Sequence, residues 1–170
     1  MSCCTTLAAI SRECGTGIRP GLATTVYVAC KDQIDTIPAD NGTSHTISDD
    51  ITLATGKQFF AWDISQLNSS YICEPQGDVD ARYYKTTIQF LIPALAPAKT
   101  FILGGITNGE FICLVSDAKS QVRLIGDTAR GAYISAQEQT NDKNGYVVTI
   151  EWESNEPPFY YTGTIDVTGA

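Results

Sequence analysis

The feature that most constrains this chain is a succession of short runs in which apolar and β-branched residues alternate with polar ones, each closed by turn residues. "TTVYVAC" (Thr24–Cys30), "KQFFAWDIS", "SYICEPQG", "ARYYKTTIQFLI", "QVRLIGD", "AYISAQEQT", "YVVTIEWES" and "FYYTGTIDV" share that character, and "GEFICLVSD" is a nearly all-apolar strand among them. Side chains of a strand flip faces at every residue, so such runs bury one face and wet the other. In "YVVTIEWES", Val148, Ile150 and Trp152 fall on one side, and Val147, Thr149, Glu151 and Glu153 on the other.

Helical spacing is scarce by comparison. In "CCTTLAAISREC", Cys3, Leu7, Ile10 and Cys14 form one apolar helical stripe, after which Gly15, Gly17, Pro20 and Gly21 break any helix. This predicts a short N-terminal helical arm and hinge over residues 1–23. A second short helix is expected around Pro97 to Leu103, with Pro97 in its first turn. The rest, residues 24–170, reads as a single mainly-β domain: a β-sandwich or barrel of about eight strands with a short flanking helix. Asn144-Gly145, before the last long strand, supplies residues that tolerate positive φ in a hairpin.

Residues 31–57 stand apart. They carry Pro38, Asn41-Gly42, Asp49-Asp50 and Gly56 with weak strand signals only. A loop this long with few apolar anchors does not easily offset its ordering entropy, which predicts that it is ordered by contact with another subunit. Ile37, Ile47 and Ile51 in this loop, with Leu7 and Ile10 in the arm, are the candidate subunit-interface residues.

Composition narrows the chemistry. Nineteen acidic against eleven basic residues give a net charge of −8, and no Lys/Arg cluster exists. Non-specific nucleic-acid clamping, which draws its affinity from released counterions, is not indicated. Charged residues make up only 18% of the chain, below the quarter usual for soluble domains, which suggests surfaces covered by a partner. No apolar run approaches the length of a membrane span and no signal-peptide pattern is visible, so the reading is a cytosolic product with no membrane partner. The six cysteines contain no CxxC pair. Without an export signal a disulfide framework is not expected, and Cys30, Cys73 and Cys113 read as small buried hydrophobes. His45 is the only histidine and has no second ligand at metal-like spacing, so neither metal nor cofactor is expected.

Catalytic patterns are equally thin. Glu151 and Glu153 share one strand face at a separation compatible with a carboxylate pair, yet they point the same way from one wall with no pocket to raise either pKa. Asp78 and Asp80, and Asp49 and Asp50, lack the calcium-loop pattern. "GTGIRPG" lacks both the preceding strand and the GK[ST] of a phosphate loop. No catalytic residue is assigned, and an enzyme is not expected.

The order of segments nevertheless resembles a family. An apolar strand ("FICLVSD"), a strand ending "RLIG", "GAYISAQ" and then "NDKNGYVVTIEWESNEPPFYY" are similar to the layout of tail tube proteins of long-tailed bacteriophages. The N-terminal "CCTTLAAISREC" followed by Gly-rich sequence and "VYVAC" is similar to structural proteins of phages infecting Bacteroidetes. The resemblance covers residues 3–30 and 85–165. It implies a β-sandwich with a flanking helix, hexameric rings closed through joined inner sheets, and stacking through loops and an arm. The implied partners are further copies, other virion tail proteins, and DNA passing through the channel without specific binding. The implied location is the virion tail, after synthesis in the host cytoplasm. Glu151 and Glu153 would then face the lumen as part of an acidic, DNA-repelling wall. Two alternatives are an Ig-like head decoration or tail adaptor protein, and a carbohydrate-binding or hydrolytic domain using Phe159, Tyr160 and Tyr161 beside Trp152.

Overall fold

The structure is a computed structural model that describes residues 7–10, 22–118, 120–141 and 144–169, the Leu67 side chain apart. The chain is mainly β, in agreement with the sandwich expected from its alternation. Its elements run in the order β1 (Leu22–Cys30), β2 (Ile34–Thr36), β3 (Thr46–Ile47), β4 (Thr52–Leu53), β5 (Phe60–Asp63), β6 (Ser65–Gln76), β7 (Tyr83–Pro93), α1 (Pro97–Gly105), β8 (Phe111–Asp117), β9 (Val122–Ile125), β10 (Tyr133–Gln139), β11 (Gly145–Ser154) and β12 (Tyr160–Tyr161).

Two main sheets form. One has six strands in the order β3-β12-β9-β8-β1-β5, the other four in the order β10-β11-β7-β6, and a small β2-β4 pair lies apart. Between the main sheets sits the larger core. Val26, Val28, Phe111, Cys113, Val115 and Ile125 come from the six-stranded side, and Ile88, Phe90, Ile92, Tyr146, Val148, Ile150 and Trp152 from the four-stranded side. α1 closes one end of this core with Leu103, and Ile106 follows it. Ala96 offers the helix no side-chain cap. The Tyr146 hydroxyl takes over: it accepts the Ala96 N–H at 3.2 Å, donates to the Ala96 carbonyl at 3.0 Å, and lies 2.7 Å from Thr100 Oγ1. The first turn of α1 is thereby tied to β11.

A second core lies on the outer face of the six-stranded sheet. Ala29, Ile112, Leu114, Leu124 and Tyr161 meet Phe59 together with Ile34, Ile47 and Ile51. β8 is therefore buried on both faces, which is why "FICLV" is continuously apolar instead of alternating.

Residues 31–57 supply most of this cover, and here the expectation of a loop ordered by another subunit is overturned. The segment is a strap. It opens with a 3₁₀ turn at Lys31–Gln33, folds back as the β2-β4 pair, and adds β3 to the sheet edge through parallel pairing of Thr46 and Ile47 with Tyr160 and Tyr161. The Ile51 N–H donates to the Tyr161 hydroxyl at 3.2 Å, and the Thr162 N–H to the Ile47 carbonyl at 3.0 Å. Few apolar anchors suffice because they all point inward.

Two local expectations also change. Leu7–Ile10, the part of the arm that is described, is not helical: Ile10 makes a parallel bridge to Trp62, receiving the Asp63 N–H and donating to the Ala61 carbonyl at 3.0 Å. The rest of the arm stripe, Cys3 and Cys14, lies outside the described residues. Gly145 does not occupy positive φ. It is needed because a Cβ there would sit 2.3 Å from the Ile92 carbonyl oxygen, so only glycine allows β11 to approach the end of β7 this closely. Among the cysteines, Cys73 and Cys113 are free thiols, and burial pushes the Cys113 thiol pKa up. Cys30, read above as a plain buried hydrophobe, is buried but disulfide-bonded.

Candidate functional site: an open sheet face between two open edges

The four-stranded sheet buries only one of its faces. On the other, the cross-strand register lines up Tyr133, Glu151, Thr87 and Ile72 in one row and Ser135, Thr149, Gln89 and Ser70 in the next. Gln137, Val147 and Leu91 form a third row. This wall is mostly hydroxyl and amide. Ile72, 54% exposed, and Tyr133 are its large apolar groups open to water.

Glu151 and Glu153 lie on this wall as the alternation predicts, with Trp152 buried on the opposite face. Each carboxylate has a cation. Lys85 Nζ sits 3.2 Å from Glu151, and Arg130 Nη2 sits 2.9 Å from Glu153. The Glu151 hydrogen bond raises the Lys85 pKa. The Trp152 indole N–H donates to the Arg130 carbonyl at 2.9 Å, so the buried ring also positions the loop that brings Arg130 to Glu153. At the start of β10, Glu110 pairs with Lys31, which holds its carboxyl below the usual range, and accepts the Tyr133 hydroxyl at 3.1 Å. Glu74, cross-strand from Lys85 on the same face, accepts only the Gln76 amide at 3.1 Å, so the wall is polar with its two cations paired and one carboxylate left without a described ion pair. The acidic excess lies elsewhere in part: residues 31–57 carry Asp32, Asp35, Asp40, Asp49 and Asp50 against Lys31 and Lys57. An acidic wall built on Glu151 and Glu153 does not match this geometry, because both are paired.

The sheet's edges follow from the hydrogen-bond alternation. Ala132 exchanges N–H···O bonds with Phe111 of the six-stranded sheet, so its backbone points away from β11. Successive residues of a strand alternate direction in the sheet plane. Ile134, Ala136 and Glu138 then turn their N–H and C=O groups to the outer edge of β10, while Tyr133, Ser135 and Gln137 bond β11. Carried across the register, the same alternation leaves Tyr71, Cys73 and Pro75 facing the outer edge of β6. Pro75, which has no N–H to give, fits only there.

The six-stranded sheet is finished differently. One edge is the two-residue β3, and the other, β5, is bridged by Ile10. Short or covered edges are how a sheet avoids adding strands.

The residues expected at a subunit interface are spent within the chain. Leu7 and Ile10 are buried in the larger core, Ile47 and Ile51 in the second, and Ile37 packs half-buried against that second core. None offers a free apolar surface, because each is already covered by its own fold. The sequence reading missed the edges of β10 and β6; their signal was the polar run "SAQEQ" and the Pro75 inside an otherwise strand-like segment.

Other candidates separate in space. His45 Nε2 lies 2.7 Å from the Pro157 carbonyl, and its ring packs 4.0 Å from that of Phe159. Among the described residues no group of three or more His, Cys, Asp or Glu is placed to hold a metal ion, and no helix is long and apolar enough to cross a membrane. Asp50 accepts the Thr164 N–H at 2.6 Å, a structural bond. A cleft of about 780 Å³ opens beside the end of β11, lined by Asp40, Tyr83, Arg130, Trp152, Glu153 and Phe159 among others. Phe159 and Trp152 meet there, whereas Tyr160 stacks on Arg123 and Tyr161 is buried in the second core. No protein-family model, curated protein or solved structure matches this chain.

Proposed function

We propose that this chain is a self-assembling structural subunit, a phage tail tube protein whose copies close into hexameric rings around a DNA-conducting channel in the virion tail. The observation that carries the reading is the four-stranded sheet itself, open among the described residues along β10 and the Tyr71–Gln76 part of β6, with a polar wall between them. Pairing β10 of one copy with β6 of the next is a head-to-tail contact, and repeated it closes a ring or winds a filament. The joined sheets form one barrel with more strands than a porin, hence an open lumen. Its hydroxyl and amide wall, where Lys85 and Arg130 are each paired with a carboxylate and Glu74 adds a further negative charge, offers DNA phosphates no cationic hold. The chain performs no bond-breaking chemistry in this role and needs no cofactor.

Electron microscopy of the concentrated protein tests the proposal: rings or tubes are expected. Monomers alone, even when nucleated by other tail components, refute it.

The cleft beside Trp152 and Phe159 favours a second reading, a carbohydrate-binding module, since aromatic faces with nearby carboxylates suit sugar hydroxyls. Saturable quenching of tryptophan fluorescence by oligosaccharides, lost in Phe159→Ala, would select it.

A further inference from the structure

The cleft of about 780 Å³ beside the end of β11 is built by four stretches distant in sequence: Asp40 of the strap, Tyr83 at the start of β7, the loop with Asp127 and Arg130, and the chain from Trp152 to Phe159. Bonds within the fold hold its walls in place. The Trp152 indole N–H donates to the Arg130 carbonyl at 2.9 Å, and the Asp127 N–H closes the same loop on that carbonyl at 2.9 Å. The Tyr83 hydroxyl donates to Gln76 Oε1 at 3.2 Å, and Phe159 packs on the His45 ring. A concavity with aromatic walls and a few fixed polar groups is the usual form of a small-ligand site.

The charge of this cleft is one-sided. Asp40, Asp127, Glu153 and Glu156 line it against a single cation, Arg130, whose guanidinium is spent on Glu153 at 2.9 Å. Asp40, Asp127 and Glu156 are left without a described ion pair. Asp40 accepts the Gly42 N–H and Asp127 accepts from Thr128, bonds that leave both negative charges in place. A concave surface of one sign over low-dielectric walls focuses its field inward and concentrates counter-ions there. The carboxylates do not converge on one point, since among the described residues no three His, Cys, Asp or Glu are placed to hold a metal ion. Negative charge spread along aromatic walls matches positive charge spread along an apolar chain.

We propose that this cleft binds a linear aliphatic oligoamine, with its ammonium groups facing Asp40, Asp127 and Glu156 and its methylenes lying on Phe159 and Tyr83. Aromatic faces attract an ammonium through the ring quadrupole and shelter the methylenes beside it. A neutral sugar would cover the rings and leave three charges uncompensated. A divalent metal ion would meet one carboxylate and leave the rings bare. The site uses neither open sheet edge, so it goes beyond the ring reading and does not depend on it.

Isothermal titration calorimetry of the full chain with spermidine tests the proposal. Saturable one-to-one binding is expected, weakening as sodium chloride is raised and persisting in magnesium chloride equimolar with spermidine. Asp40→Asn combined with Glu156→Gln should weaken binding about tenfold or more, and the Asn keeps an acceptor for the Gly42 N–H so that the turn survives. Asp78→Asn combined with Asp80→Asn removes the same charge from the turn between β6 and β7, outside the cleft, and should leave binding unchanged. That control separates the site from general attraction to a chain of net charge −8. No saturable heat with spermidine, equal weakening by the two double variants, displacement by equimolar magnesium, or saturable binding of a neutral oligosaccharide in its place overturns the proposal. Ring closure is read separately by electron microscopy, so the two readings fail independently.

Discussion

The six-stranded and four-stranded sheets face each other across one core, yet the first is complete as folded and the second is not. The six-stranded sheet carries apolar side chains on both faces, with the strap of residues 31–57 sealing the outer one, and ends in a two-residue strand and a bridged strand. The four-stranded sheet keeps one face wet and, among the described residues, leaves seven-residue β10 and the Tyr71–Gln76 part of β6 without an outer strand. The difference teaches where stability and assembly reside. Interior burial is concentrated in the first sheet, and the capacity to join copies in the second.

The largest contrast should appear on substituting matched positions of the two sheets. Ile112→Ala, in the second core on the six-stranded sheet, should cost about 2–5 kcal/mol in urea unfolding, from lost transfer energy and the cavity left behind. Thr149→Ala, on the open wall, should change stability by no more than about 0.5 kcal/mol. Ile47→Ala should behave like Ile112→Ala and make the strap susceptible to proteolysis, whereas the wild-type strap resists cleavage even in the monomer. Equal costs on both sheets would erase the contrast.

A smaller but sharper effect is expected from two neighbouring prolines in β10. Gln137→Pro removes a donor bonded to β11 and should cost on the order of 1–3 kcal/mol. Ala136→Pro removes a donor on the open edge, so the monomer should fold with a loss under about 1 kcal/mol while ring formation is abolished. Chemical denaturation and electron microscopy of both variants check this. The reverse pattern would mean that the edge had been assigned to the wrong residues.

The smallest effect belongs to the paired carboxylates. Glu151→Gln and Glu153→Gln should each change stability by about 0–1 kcal/mol, because exposed ion pairs contribute little, and should leave assembly intact. A hydrolase activity lost in these variants would instead make them catalytic.

Parts of this architecture could be read from the residues. The alternation in "YVVTIEWES" placed Trp152 inside and Glu151 and Glu153 outside, since a period of two leaves no other choice. The Pro97 start of α1 was equally local, and so visible. The strap was not. Ile34, Ile47 and Ile51 are single apolar residues in polar surroundings, and what orders Ile47 is a parallel pairing with Tyr161, a partner distant in sequence. Leu7 and Ile10 have helical spacing, but the backbone of Ile10 is claimed by Ala61 and Asp63. The pairing of Glu153 was hidden for the same reason, because Arg130 reaches it from a loop that Trp152 holds in place. An open edge is also a property of the whole sheet, which no single strand discloses.

Backbone amide hydrogen exchange, read residue by residue in β10, tests the central claim most directly. In the monomer, Ile134, Ala136 and Glu138 should exchange much faster than Tyr133, Ser135 and Gln137, whose N–H groups are bonded to β11. On assembly, the first set should become protected to the level of the second, because the neighbouring copy's β6 supplies the missing acceptors. Assemblies in which Ile134, Ala136 and Glu138 still exchange at the monomer rate would contradict joining of copies through this edge.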